Sequence, residues 1–361
     1  MNPFLASLIR PHYHALKGYV SAGMEVKKDQ DTVFMNANEN PFSLPGLEGW
    51  NRYPEPQPEA LLQAYARLYS VQPTQIVATR GADEAIQILI RLFCEPHNDA
   101  IVTHSPTFGM YPVDALAMPA RVIDVPLIME NGNFKLNSDG LIAAGQDKAT
   151  KLVFICNPNN PTATSFPHEQ IHAICRALEG HAVILLDETY TEFSTHGSMT
   201  SDLAAHPNLI ILRTLSKSYA MAGMRMGSML CADENFINLV RTKCLDAYPL
   251  PRASIEAALK VMAPDNIARA HKNITTLNTE RARLMRAFEN SPHVIHVYPS
   301  DANFFLVQMH DPAGFLNFCK QNKIILRDFS SKPLTEGCLR ISAGTPEQND
   351  QLIGLLHAFA R

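Results

Sequence analysis

Lys217 lies between two serines in Leu212-Arg213-Thr214-Leu215-Ser216-Lys217-Ser218-Tyr219, and Gly223 and Arg225 follow shortly after. An amine attacks a carbonyl only when neutral, so a nucleophilic lysine needs a pKa lowered by burial or by neighbouring positive charge. Arg225 is a candidate for that neighbour. The hydroxyls of Thr214, Ser216 and Ser218 and the planar donor fork of Arg225 also make a ligand set for a phosphate dianion. A lysine able to form a Schiff base beside a phosphate pocket points to pyridoxal phosphate.

Two other stretches carry compatible chemistry. Ala182 to Leu186 is an apolar run that reads as a buried parallel strand, and it ends in Asp187-Glu188-Thr189-Tyr190. An acidic group at the carboxyl end of such a strand stands where α/β proteins place ligands. Ile76 to Thr79 reads as a strand running into Arg80-Gly81-Ala82-Asp83-Glu84 and a helix. Glycine at that turn lets backbone amides approach an anion at the helix start, so a phosphate could dock on Ala82 and Asp83. A different chemistry is suggested by His168-Glu169-Gln170-Ile171-His172, which fits the zinc-protease string H-E-x-x-H. No third ligand is evident, and Pro167 puts His168 in the first helical turn, so a zinc site is the remote alternative.

The string Thr214, Ser216, Lys217, Gly223, Arg225 and Gly227 resembles the lysine segment of the aminotransferases of pyridoxal-phosphate fold type I. That resemblance implies an α/β fold with a mostly parallel central sheet flanked by helices and a smaller α+β domain. By match to the family, Asp187 would hold the pyridine nitrogen protonated, making the ring a stronger electron sink. Asn160 and Tyr190 would bond the phenolic oxygen, and Phe108 would stack on the ring. Thr214, Ser216, Arg225, Ala82 and Asp83 would hold the phosphate. Asn36 to Pro41, containing Asn38, resembles the family's Asn-Glu-Asn-Pro near the start of the chain. Tyr53 would reach across a homodimer interface to the partner's cofactor. Asn157-Pro158-Asn159-Asn160-Pro161-Thr162-Ala163 resembles the family's Asn-Pro-Thr-Gly loop but has alanine where glycine is usual. If that position requires a positive φ, Ala163 is strained by about 1 kcal/mol.

Further strings, Asn51 to Pro54, Arg80 to Glu84, Ile324 to Asp328 and Gly337 to Arg340, are similar to the histidinol-phosphate aminotransferase branch. There Arg340 would take a substrate carboxylate, Arg327 and Tyr19 would serve the substrate phosphate, and Asn38 would line the substrate site. The implied reaction is ping-pong transamination between histidinol phosphate and 2-oxoglutarate, giving imidazole acetol phosphate and glutamate in histidine biosynthesis. An aromatic-amino-acid aminotransferase or a threonine-phosphate decarboxylase on the same fold is the nearer alternative.

The elements that must position these residues read as follows. At 361 residues, with 46% hydrophobic and 18% charged residues, the chain can bury a large and a small core. Residues 1–45 show no strong period and read as an arm packing on the small domain and the dimer partner. Residues 46–245 read as the cofactor-binding domain. After the break at Ala247-Tyr248-Pro249-Leu250-Pro251, residues 246–361 read as the small domain. Strands are expected at Ile324 to Leu326 and Cys338 to Ile341, with a polar excursion over Glu130 to Gly140. A net charge of −4 with no basic block argues against nucleic acid. No run approaches the roughly 20 apolar residues of a membrane span, and Met1 to Val20 lacks a signal-peptide core, so a cytoplasmic location is expected. Seven cysteines without a Cys-x-x-Cys read as reduced core residues.

Overall fold

The computed structural model describes residues 1–18 and 33–359. Two short helices come first, α1 (Pro3–Leu8) and α2 (His12–Ala15). The large-sheet elements follow: α3 (Glu59–Tyr69), β1 (Ile76–Thr79), α4 (Gly81–Phe93), β2 (Ala100–Thr103), α5 (Met110–Ala117), β3 (Arg121–Asp124), β4 (Ile128–Glu130), β5 (Asn133–Lys135), α6 (Ser138–Gly145), β6 (Thr150–Cys156), α7 (His168–Ala177), β7 (Val183–Asp187), β8 (Leu209–Thr214), β9 (Gly227–Cys231) and α8 (Glu234–Lys243). Last come α9 (Arg252–Val261), α10 (Pro264–Glu289), β10 (Val294–Val297), β11 (Phe304–Met309), α11 (Pro312–Gln321), β12 (Arg327–Asp328), β13 (Cys338–Ser342) and α12 (Pro346–Ala358).

Seven strands form one sheet in the order β1-β9-β8-β7-β6-β2-β3. Neighbours from β8 through β7, β6 and β2 to β3 are parallel, and β9 runs antiparallel to both β8 and β1. The strands read as unbroken apolar runs because both faces are covered. Alternate side chains enter two separate cores. Val183, Leu185, Ile210 and Leu212 pack with Ile86, Phe93 and Phe236 of α4 and α8. Ile184, Leu186 and Ile211 pack with Tyr65, Ile171 and Ile174 of α3 and α7 on the other side. A third core lies between α10, α11, α12 and the four-stranded antiparallel sheet β10-β11-β13-β12, where Phe288, Phe305 and Phe315 are fully buried.

Three local expectations change. Leu5, Ile9 and Tyr13, spaced four residues apart, bury one face of the α1–α2 segment in the core shared with Phe93 and Phe236. Arg10 N donates to Leu92 O at 3.0 Å, Arg10 Nε pairs with Glu95 at 2.8 Å, and Lys243 Nζ donates to Tyr13 O at 2.9 Å. This part of the arm therefore sits on α4 and α8 of the large sheet instead of on the small domain. The polar excursion contains the hairpin β4–β5, turned by Asn131 and Gly132, both at positive φ. Near residue 325 the strand is Arg327–Asp328, because Lys323 at φ 65° turns the chain out of α11 and leaves Ile324 and Leu326 against the small core.

Candidate active site

The carboxyl ends of β6, β7 and β8 open into a cavity of about 110 Å³. Ala82, Asp83, Phe108, Asn160, Asp187, Tyr190, Thr214, Ser216, Lys217 and Arg225 line it, together with Cys156, Thr189 and Ala222. One pocket thus gathers residues from five separate stretches of sequence.

Asp187 ends β7 opposite Cys156 of β6 and Leu212 of β8, which fixes it at the cavity wall. Its Oδ1 accepts from Thr189 N at 3.0 Å and Thr189 Oγ1 at 2.6 Å, and Tyr111 Oη donates to its Oδ2 at 2.6 Å. Burial pushes the carboxyl above its ordinary value, while these donors pull it down. Among the described residues Asp187 takes part in no ion pair. A buried carboxylate facing a cavity with satisfied donors and no countercharge suits a cationic ring nitrogen. Phe108 stands edge-on to Tyr111, with centroids 5.5 Å apart. Tyr111 is fully buried and also holds Asp187, a role that the sequence reading did not give it. Thr189 was not singled out either, although a hydroxyl two residues beyond a strand-end aspartate is a frequent local partner.

The opposite end suits an anion. The N-terminus of α4 brings the free amides of its first turn to Ala82 and Asp83. Arg225, at φ 54°, donates from Nη2 to Asp83 Oδ2 at 2.8 Å, and Thr214 Oγ1 lies 3.0 Å from Ser216 Oγ. Two glycines permit this convergence. A Cβ on Gly81, at φ +75°, would come within 2.8 Å of Arg225 Nη2, and one on Gly227 would fall 2.5 Å from Gly81 C. Ring nitrogen partner at one end and phosphate donors at the other fit pyridoxal phosphate.

Burial pushes the Lys217 ammonium below the ordinary lysine value. Arg340 is its principal cationic neighbour and Arg225 a lesser one, against the opposing pull of Asp83 and Asp187. The sequence reading had named only Arg225. Lys217 Nζ lies 5.9 Å from the Tyr190 ring centroid, and burial raises the Tyr190 phenol.

A wider cleft adjoins this cavity, sharing Phe108, Asn160, Tyr190 and Lys217 and adding Arg327 and Arg340. Arg340 projects from β13 between the rings of Phe304 and Phe329, 5.1 and 5.4 Å from their centroids, and its Nη1 bonds Asn160 Oδ1. Arg327 is the register partner of Arg340 on β12. Ala163 does take a positive φ, 61°, in the loop that carries Asn160.

Not every expected residue lines these spaces. Ser218, grouped with the phosphate ligands by sequence, is turned away and donates to Glu192 Oε2 at 2.8 Å. Asn38 is exposed at φ 55° and lines neither space. Tyr53 stacks on Tyr248 with centroids 4.0 Å apart and is half exposed. Tyr19 lies outside the described residues. In the H-E-x-x-H string, His172 Nδ1 lies 2.6 Å from His206 Nε2, and His168 faces His196 with ring centroids 6.5 Å apart. Among the described residues no three His, Cys, Asp or Glu side chains are placed to share a metal ion.

Residues 30–356 match the aminotransferase class I and II family. The histidinol-phosphate aminotransferase of Stenotrophomonas maltophilia (strain R551-3) is 37% identical over 354 residues, covering 98% of this chain and 96% of the relative. That of Xanthomonas campestris pv. campestris (strain 8004) is 38% identical over 351 residues, covering 97% and 96%. In fold, the chain is similar to the histidinol-phosphate aminotransferase from Sinorhizobium meliloti in complex with pyridoxal-5'-phosphate, with a TM-score of 0.76, 23% identity and coverage of 86% and 84%. With a family match over most of its length and relatives matched nearly end to end, the chain belongs to the class I and II aminotransferases, in the histidinol-phosphate aminotransferase family.

Proposed function

We propose that this chain transfers an amino group from histidinol phosphate to 2-oxoglutarate, using pyridoxal phosphate and yielding imidazole acetol phosphate and glutamate. The observation that carries the reading is the meeting of Lys217, Asp187 and a phosphate-type anion cradle in one pocket, beside a cleft holding Arg340 and Arg327. The bound cofactor supplies an aldehyde for the amine and an electron sink for the bond broken at the substrate's Cα.

The side chains have distinct tasks. Lys217 Nζ, whose charged form burial and Arg340 disfavour, would be the amine that holds the cofactor and, when free, the base that moves the proton at the substrate's Cα. Asp187 would hold a proton on the ring nitrogen, and Tyr111 and Thr189 hold Asp187. Asn160 and Tyr190 would bond the cofactor's phenolic oxygen, and Phe108 would stack on its ring. Arg340 takes the carboxylate of glutamate or 2-oxoglutarate with its planar fork. Arg327, beside it, takes the phosphate of the other substrate. Tyr53 is assigned to the partner subunit's site in a homodimer, and Tyr19 to the substrate side of the arm.

Steady-state kinetics of Arg327→Ala tests the assignment. The KM for histidinol phosphate should rise about tenfold or more, as loss of a charge-assisted contact predicts, with the KM for 2-oxoglutarate changed far less. Equal losses for both substrates would contradict a phosphate role. Turnover of threonine phosphate or aromatic amino acids in place of histidinol phosphate would move the chain to the alternative chemistry.

A further inference from the structure

The large sheet carries a buried ionic cluster on the face opposite the pocket. Arg213 Nη1 lies 3.2 Å from Glu188 Oε2 and donates to Ser198 Oγ at 2.9 Å, and its Nη2 pairs with Glu192. Glu188 also accepts from Met199 N at 2.7 Å and from Ser198 Oγ. Glu192 Oε2 accepts from Ser218 Oγ, and the Tyr219 hydroxyl faces the same carboxylate. The Arg213 guanidinium lies 4.5 Å from the Tyr69 ring centroid. Arg213 and Glu188 side chains are 6% and 2% exposed, so both charges have left water.

Such a cluster contributes little to stability compared with apolar side chains of the same volume, because desolvation cancels most of the attraction. Its position is the informative feature. Glu188 follows Asp187, Arg213 precedes Thr214, Ser218 follows Lys217, and Glu192 is two residues beyond Tyr190. Arg213 alternates with Thr214 along β8 and so points to the other face, while Glu188, Glu192 and Ser218 lie in the turns that follow β7 and β8 beside the pocket residues. Only Ser218 was suggested by sequence, and for a different task.

We infer that Ser218, Glu192 and Arg213 are positioning residues that hold Lys217 for its two tasks, with the Ser218–Glu192 hydrogen bond as the direct tie. This rests on the transaminase reading above. Lys217 must release the cofactor, swing to Cα and return. With its backbone fixed at Ser218, that search is confined to the side chain, whereas a loose loop would spread Nζ over more positions and misplace it for proton transfer. The groups that face Lys217 are Arg340, Asp83, Arg225, Asp187 and Tyr190, and none of them belongs to the cluster. Ser218→Ala removes no charge, so it acts on Lys217 by moving it.

The test uses the cofactor-loaded enzyme and the variants Ser218→Ala, Ser218→Thr and Glu192→Gln. Ser218→Ala should lower kcat about tenfold with KM for either substrate within about twofold of wild type. It should also displace the pH midpoint of the visible band that reports protonation at the lysine–cofactor bond. Ser218→Thr, which keeps the hydroxyl, should restore both, and Glu192→Gln should shift them in the direction of Ser218→Ala. Wild-type kcat and midpoint in Ser218→Ala and Glu192→Gln overturn the inference, even with a lowered melting temperature, which a merely structural role also predicts. If Ser218→Ala does not fold, Glu192→Gln decides by the same two readouts. A wild-type protein with no visible band overturns the transaminase reading itself, whereas a normal wild-type band with unresponsive variants overturns only the positioning role.

Discussion

Ala163 shows how two small terms decide a residue. At φ 61° the alanine gives up about 1 kcal/mol relative to glycine. Its methyl, however, is fully buried in a small core with Tyr190, Phe193 and Phe304, and one buried methyl returns about 0.8 kcal/mol. Ala163→Gly should therefore change unfolding free energy by less than about 0.5 kcal/mol in a denaturant titration. His104 gives a pH prediction. It is fully buried, and its Nε2 accepts from Cys156 N at 3.3 Å, which requires that nitrogen to be bare. Burial lowers its pKa from 6.5 to about 3. Between those values the unfolded chain binds a proton that the folded chain refuses, so the stability it contributes is full above pH 6.5 and is lost as pH falls toward 3. Urea midpoints of His104→Asn should fall less steeply than wild type between pH 7 and pH 5, both values being about where the histidine window opens. An unchanged slope would contradict a neutral buried imidazole. At this scale the sequence was readable where one residue type has one chemical use, as with Lys217 and Asp187. It was silent on Tyr111, because a buried tyrosine looks the same whether its hydroxyl is idle or bonded to a carboxylate.

At the scale of elements, the pocket depends on β9 lying close against the start of α4. Gly227 pairs with Thr79 and Thr214 in the sheet and leaves no room for a side chain against Gly81. Gly227→Ala must displace the α4 N-terminus, since the obstructing atoms are backbone. It should cost about 1–3 kcal/mol of stability and weaken retention of pyridoxal phosphate, read by thermal melting and by equilibrium dialysis of the cofactor. Wild-type retention would show that the helix terminus is not needed for the phosphate. The parallel strands were legible because an apolar run followed by Asp187 or Thr214 has few other readings. Helix α1 was missed because six residues show too little period, and only the four-residue spacing of Leu5, Ile9 and Tyr13 carries it. The Asn131-Gly132 turn was legible in principle, since that pair favours a tight hairpin, but the charged residues around it hid the short strands.

Across the whole molecule, the two sheets meet at the chemistry. Arg340 on the small sheet bonds Asn160, on a loop of the large one, and its charge lowers the pKa of Lys217. Long-range pairings of this kind left no mark on the sequence beyond family resemblance, since neither residue is distinctive alone. Among the described residues no helix is long and apolar enough to cross a membrane, which agrees with the charged face of the long helix α10. The central claim is that Lys217 carries the cofactor and that the cofactor shuttles nitrogen between histidinol phosphate and 2-oxoglutarate. The most direct measurement is the visible spectrum of the protein with pyridoxal phosphate, taken for wild type and Lys217→Ala and followed through sequential addition of the two substrates. The account predicts a band that needs Lys217, shifts to the aminated form with histidinol phosphate and returns with 2-oxoglutarate. A band present in Lys217→Ala, or one that histidinol phosphate leaves unchanged, would contradict it.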